Sequence, residues 1–84
     1  MSHARDVVEI IAHALVDDPD AVRVEEAEQR GASVIELFVA PDDLGRVIGR
    51  QGRTAMALRT LAAATAEHHG QKATLEIREP DDEI

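Results

Sequence analysis

At 84 residues the chain has room for one domain, and a domain of this size buries only about 60–65% of its unfolded surface. It contains no cysteine, which excludes disulfides and thiolate metal sites, and no apolar run approaches the roughly 20 residues a membrane-spanning helix needs. The formal charge of −8 argues against a general affinity for nucleic acid, and the acidic residues Asp6 and Glu9 among the first apolar residues are not the pattern of a signal peptide, so a soluble, cytoplasmic domain is expected.

Residues 3–16 predict a helix, with Val7, Val8, Ile11, Ala14 and Leu15 on one stripe and Ser2 placed to cap it. Pro19 in DDPD (17–20) ends that pattern. Residues 22–28 predict a strand with Val22 and Val24 on one face, and QRGAS (29–33) a hairpin turn. Residues 34–40 predict the strongest strand. Ile35, Leu37 and Val39 share one face and Val34, Glu36 and Phe38 the other; apolar residues on both faces suit a central strand. Phe38, the only aromatic residue, is expected in the core.

Pro41 stops that strand, and 41–48 predict a short helix with Asp42 or Asp43 at its N-terminus, where carboxylates are favoured. GRQG (49–52) interrupts it. Residues 53–68 predict a second long helix with Ala55, Leu58, Leu61, Ala62 and Thr65 buried, and Gly70 stops it. Residues 72–78 alternate, with Ala73, Leu75 and Ile77 inside. The order is α-β-β-α-α-β. A hairpin makes the first two strands antiparallel, and a helix-pair crossover lets the last two run parallel. The expected fold is α+β, a three-stranded mixed sheet with three helices on one face. Residues 1–79 form the domain, and 80–84 an acidic, frayed tail.

The charge is unevenly spread. Residues 44–66 hold Arg46, Arg50, Arg53 and Arg59 and no acid, a local +4 that leaves −12 for the remainder. The arginines surround Gly45-x-x-x-Gly49-x-x-Gly52. This is not a P-loop, because no Lys-Ser/Thr follows, nor a dinucleotide G-x-G-x-x-G. It gives a helix, a two-residue loop between glycines, and a second helix whose N-terminal N–H groups favour phosphate. Such a loop suits a sugar–phosphate backbone passing over it. The competing reading is a tight turn without a ligand; for Arg46 and Arg59 it is a solvated face or an ion pair with a nearby acid.

The string GRVIGRQGRTAMALRTL (45–61), between one strand and the next, resembles the K-homology (KH) domain, whose G-x-x-G loop grips single-stranded nucleic acid. Here that loop is Gly49, Arg50, Gln51 and Gly52. The extra N-terminal helix and strand match the type II KH arrangement, and the length is similar to the small bacterial KhpA family. The resemblance covers nearly the whole chain. It implies a single-stranded RNA-binding protein, an RNA chaperone or post-transcriptional regulator, paired with itself or with a KhpB/Jag-type KH protein. It further implies that Ile48 and Ala55 line a base-binding groove, although either residue could be plain core. In this picture Arg50, Arg53 and Arg46 neutralise phosphates and the strand 72–78 edges the groove.

No cofactor is expected. His68 and His69 are adjacent on a helix, point about 100° apart and lack a third ligand nearby. Asp17, Asp18 and Asp20 lack the calcium-loop spacing. No acid–base pair or nucleophile–base set is recognisable, so catalysis is not expected. The alanines Ala62, Ala63, Ala64 and Ala66 suggest an alternative, a helix face for a partner protein, with RNA binding secondary; they could equally pack on the sheet.

Overall fold

The computed structural model describes residues 2–79; the acidic segment 80–84 lies outside them. Helix α1 spans His3–Leu15, capped at its start by the Ser2 hydroxyl, which accepts the Arg5 N–H at 3.1 Å. It stops one residue short of the predicted end, and Pro19–Ala21 form a single 3₁₀ turn. Strands β1 (Arg23–Gln29) and β2 (Ala32–Phe38) are joined by Arg30 and Gly31 alone, both left-handed at φ +54° and +80°. Two such residues make a type I′ turn, whose twist matches that of the flanking strands. The predicted loop was longer, so β2 begins two residues earlier than the hydrophobic pattern indicates.

Pro41–Asp43 form a 3₁₀ turn and α2 spans Leu44–Ile48, so the predicted helix 41–48 is split in two. A 3₁₀ turn over Arg50–Gly52 leads into α3, Arg53–His68, and then β3, Ala73–Arg78. Gly70 ends α3 as predicted: at φ +72° it donates to the Glu67 carbonyl while the Gln71 N–H reaches the Ala66 carbonyl at 2.8 Å. These two bonds form a Schellman cap.

The sheet order is β1-β2-β3, with β2 central, antiparallel to β1 and parallel to β3. The α-β-β-α-α-β order and the mixed three-stranded sheet are those expected. Ile35, Leu37 and Val39 are fully buried between the sheet and the helices, with Val24 and Leu75 beside them.

The helix stripes differ from the prediction. From α1 the core takes Ala4, Val8 and Ala12, while Ala14 is exposed and Ile10 keeps 70% of its surface. From α3 it takes Leu58, Ala62 and Ala66, while Leu61 is 46% exposed and Thr65 half-buried. Small alanine side chains on both helices, Ala4 and Ala12 on α1 and Ala62 and Ala66 on α3, let α1 and α3 pack closely in the core. A reading weighted towards bulky residues rotates both stripes toward the larger side chains.

Phe38 is buried, but it lies on the sheet face turned away from the helices, with the Arg23 guanidinium 4.2 Å above its ring. On the same face Glu25, Glu36 and Glu76 stand in register across the three strands. Arg23 pairs with Glu25 at 3.2 Å, and Arg78 bridges Glu36 at 2.8 Å and also reaches Glu76. These two arginines offset a row of like charges that would otherwise destabilise the pairing.

Three polar contacts tie the layers together. Arg5 forks onto Glu9 at 3.1 and 3.2 Å and donates to the Val24 carbonyl at 3.2 Å, joining α1 to β1. Its bond to the Glu9 carboxylate raises the guanidinium pKa. Glu26 accepts the Ser2 N–H at 3.2 Å. Burial pushes its carboxyl up, but bonds from Ser2 and Ser33 outweigh that and leave it below the ordinary value. The side chain of Asp43, 4% exposed, accepts the backbone N–H groups of Asp17 at 3.0 Å and Asp18 at 3.1 Å. It pins the turn after α1 to the start of α2. Truncating it leaves two N–H groups without their acceptor; Asp43→Ala is expected to cost about 2–4 kcal/mol, read by chemical denaturation.

At the far end, the His3 and His69 rings stack at 3.9 Å, with His68 edge-on to His69. Desolvation of the stacked ring, with repulsion from His3 and His68, lowers the His69 pKa below its ordinary 6.5. The folded state thus disfavours the charged ring. Nothing is lost at neutral pH; stability falls as the pH drops from 6.5 towards the lower folded value and levels off beneath it. An NMR titration of His69 is expected to give a pKa that rises in His3→Ala.

Candidate nucleic-acid interface

The centre of the site is the chain reversal between α2 and α3. Helix α2 ends at Gly49, whose N–H returns to the Gly45 carbonyl at 2.9 Å. Its backbone, at φ 76° and ψ 173°, occupies a region that belongs essentially to glycine. A Cβ at this position would also collide with the hydroxyl and Cβ of Thr54. Gly52 differs: at φ 74° and ψ 14° it is left-handed, but a Cβ there would meet nothing within 4 Å. Gln51, at φ 58° and ψ 23°, is also left-handed. The turn closes through Gly52 N–H to the Gly49 carbonyl at 3.1 Å and Arg53 N–H to the Arg50 carbonyl. Beyond it the first turn of α3 has N–H groups with no partner earlier in the helix.

The predicted site residues beside the two glycines fall into four settings. Arg50, Gln51 and Arg53 are exposed at the tip, and Arg53 donates to Gln51 Oε1 at 3.0 Å. Ile48 keeps part of its surface, whereas Ala55 keeps only 2%. Arg59 reaches from α3 to the Leu75 carbonyl at 3.3 Å, linking the helix to β3. Arg46 is turned to the acids: it forms an ion pair with Asp17 at 2.8 Å and lies 3.6 Å from Asp43. Met56, exposed on the first turn of α3, adds an apolar surface next to the loop.

Sequence reasoning missed Thr54 and Asp17. The van der Waals contact of Thr54 with Gly49 has no signature in composition or period. Asp17 meets α2 only through the fold, and Asp43 was read merely as a helix-terminal carboxylate. Among the described residues no group of three or more His, Cys, Asp or Glu could hold a metal ion. Nor is any helix there long and apolar enough to cross a membrane.

A strand, a helix, a G-x-x-G turn, a second helix and a parallel strand, preceded by an extra helix and strand, define a KH domain of the type II arrangement. A sequence model described as "KhpA/KhpB, KH domain" matches residues 5–77, and the chain belongs to that family. It is 51% identical over 79 residues to the "RNA-binding protein KhpA" of Aquifex aeolicus, covering 94% of this chain and all of the relative. To the protein of the same name from Caldanaerobacter subterraneus it is 50% identical over 72 residues, covering 86% of this chain and 96% of that one. The fold also resembles that of Era, crystallised with MgGDPNP and nucleotides 1506–1542 of 16S ribosomal RNA: TM-score 0.62, 23% identity, 90% of this chain. This chain spans 29% of Era, and the likeness is one of fold.

The two loop glycines are expected to respond differently to substitution. Gly52→Ala pays for a left-handed backbone, about 1–2 kcal/mol. Gly49→Ala adds a collision with Thr54 and should cost clearly more, visible as a larger drop in melting temperature.

Proposed function

We propose that this protein binds single-stranded RNA across the Gly49–Gly52 turn. The observation that carries the reading is two exposed arginines, Arg50 and Arg53, on a glycine-framed turn in an otherwise acidic chain. Gly49 and Gly52 allow the sugar–phosphate backbone close approach. Arg50 and Arg53, joined by Arg46, neutralise phosphates. Gln51 contacts the backbone at the tip. Ile48, backed by Ala55, forms the apolar floor, and Arg59 with the edge of β3 closes the far side of the groove. Phosphate contacts position the strand, and any sequence preference comes from base edges. The names of the relatives, "RNA-binding protein KhpA", support RNA as the ligand. The role is that of a cytoplasmic RNA chaperone or post-transcriptional regulator, acting by binding rather than catalysis and with residues 1–79 as its single domain.

Pairing with a second copy or with a KhpB/Jag-type protein belongs to the same proposal. Leu61 and Ile10 supply exposed apolar surface for it. The alanine run does not carry that role, because Ala62 and Ala66 are buried in the core of the domain itself and only Ala64 is exposed. This removes the motive for reading the protein primarily as an interaction module.

The loop is better tested at its tip than at its glycines, since Gly49 variants strain the fold. Arg50→Asp with Gln51→Asp changes two exposed side chains, and aspartate tolerates the left-handed backbone at 51. Binding of a labelled mixed-sequence single-stranded RNA at low salt is expected to weaken at least about tenfold, with the melting temperature unchanged. In the wild type, log K is expected to fall with log salt with a slope of about −2 for three neutralised phosphates. A flat salt response, or equal binding by the folded variant, would place RNA elsewhere.

A further inference from the structure

Arg46 is held by two carboxylates of different kinds. Asp43 is 4% exposed and fixed by the N–H groups of Asp17 and Asp18, so it cannot leave without breaking the tie between the turn and α2. The Asp17 side chain is 75% exposed, and its carboxylate pairs with the Arg46 guanidinium at 2.8 Å. One partner is buried and fixed; the other is exposed to solvent. Arg46 itself is half exposed and stands in the last turn of α2, directly before the Gly49 turn.

Resting on the RNA-binding reading above, we infer that Asp17 is an affinity-limiting residue of the RNA surface. Its carboxylate occupies, on Arg46, the place a phosphate oxygen would take. Both groups are anionic oxygens that accept from the guanidinium, so RNA gains Arg46 only by displacing Asp17. The displaced carboxylate then lies beside the incoming phosphate and opposes it. Asp17 thus weakens binding twice, by competition and by repulsion. Asp43 limits the loss, because it keeps Arg46 oriented when Asp17 lets go.

The test is a double-mutant cycle on the labelled mixed-sequence RNA, with Asp17→Asn, Arg46→Gln and the pair. Asp20→Asn is the control: another exposed acid of the same turn, outside the Arg46 ion pairs. Asp17→Asn keeps the backbone N–H that Asp43 binds and is expected to fold normally. It should tighten RNA binding about two- to fivefold, the range of an exposed ion pair. The gain should exceed that of Asp20→Asn and shrink to the Asp20→Asn level in the Arg46→Gln background. Equal gains from Asp17→Asn and Asp20→Asn would mean a general charge effect and overturn the inference. So would a gain that survives Arg46→Gln. If the wild type binds RNA and Asp17→Asn changes nothing, this inference fails while the loop assignment stands. If the wild type binds no RNA, the reading of the loop fails and this inference with it.

Discussion

The chain leaves α2 through a residue whose backbone only glycine adopts. Gly49 makes that exit, and Thr54, on the first turn of α3, fills the space where a side chain would stand. The angle between the two helices is therefore set by a direct contact across the turn rather than by a flexible connection. Much else follows from this constraint. The pair of helices returns the chain to the sheet, so β3 docks parallel to β2, and the Schellman cap at Gly70 delivers it there. The arginines at the tip owe their exposure to the same turn, which places them beyond the ends of both helices.

Electrostatics divides the molecule in a way that net charge conceals. On the open sheet face the charges largely offset one another, with Arg23 and Arg78 set among three aligned glutamates. Around the helix pair they do not cancel, but the formal +4 of residues 44–66 overstates what a ligand meets. Arg46 already faces two aspartates, and Arg59 is engaged with a carbonyl of β3. Arg50 and Arg53 are the two that face no carboxylate and are not tied to the sheet. A small, focused patch on an acidic body favours discrimination over tight binding, because most of the surface repels a polyanion.

Much of this architecture was legible in the residues. Alternation in 34–40 and 72–78, the proline and glycine stops, and the length of the crossover lead to the mixed sheet. The glycine spacing with its arginines leads to the turn. What could not be read has a common physical character. Which stripe of a helix is buried depends on how closely two elements approach, and here alanines rather than Leu61 or Ile10 decide it. Phe38 lies under Arg23 because β1 brings the arginine beside it, a cross-strand relation no single segment contains. The engagement of Arg46 by Asp17 likewise joins positions distant in sequence. Local signals were dependable where the backbone itself is constrained, and silent where a side chain's partner comes from elsewhere in the chain.

Phe38, buried beneath a guanidinium on the sheet face away from the helices, is the one aromatic side chain of an optically quiet protein. With no tryptophan or tyrosine and this one phenylalanine, the near-ultraviolet signal of any complex belongs almost wholly to the nucleic acid. A fluorescent base laid over the turn would report its own stacking without a protein background. A single tryptophan introduced at the exposed Met56 position would be the sole emitter, watching the loop from the side of α3.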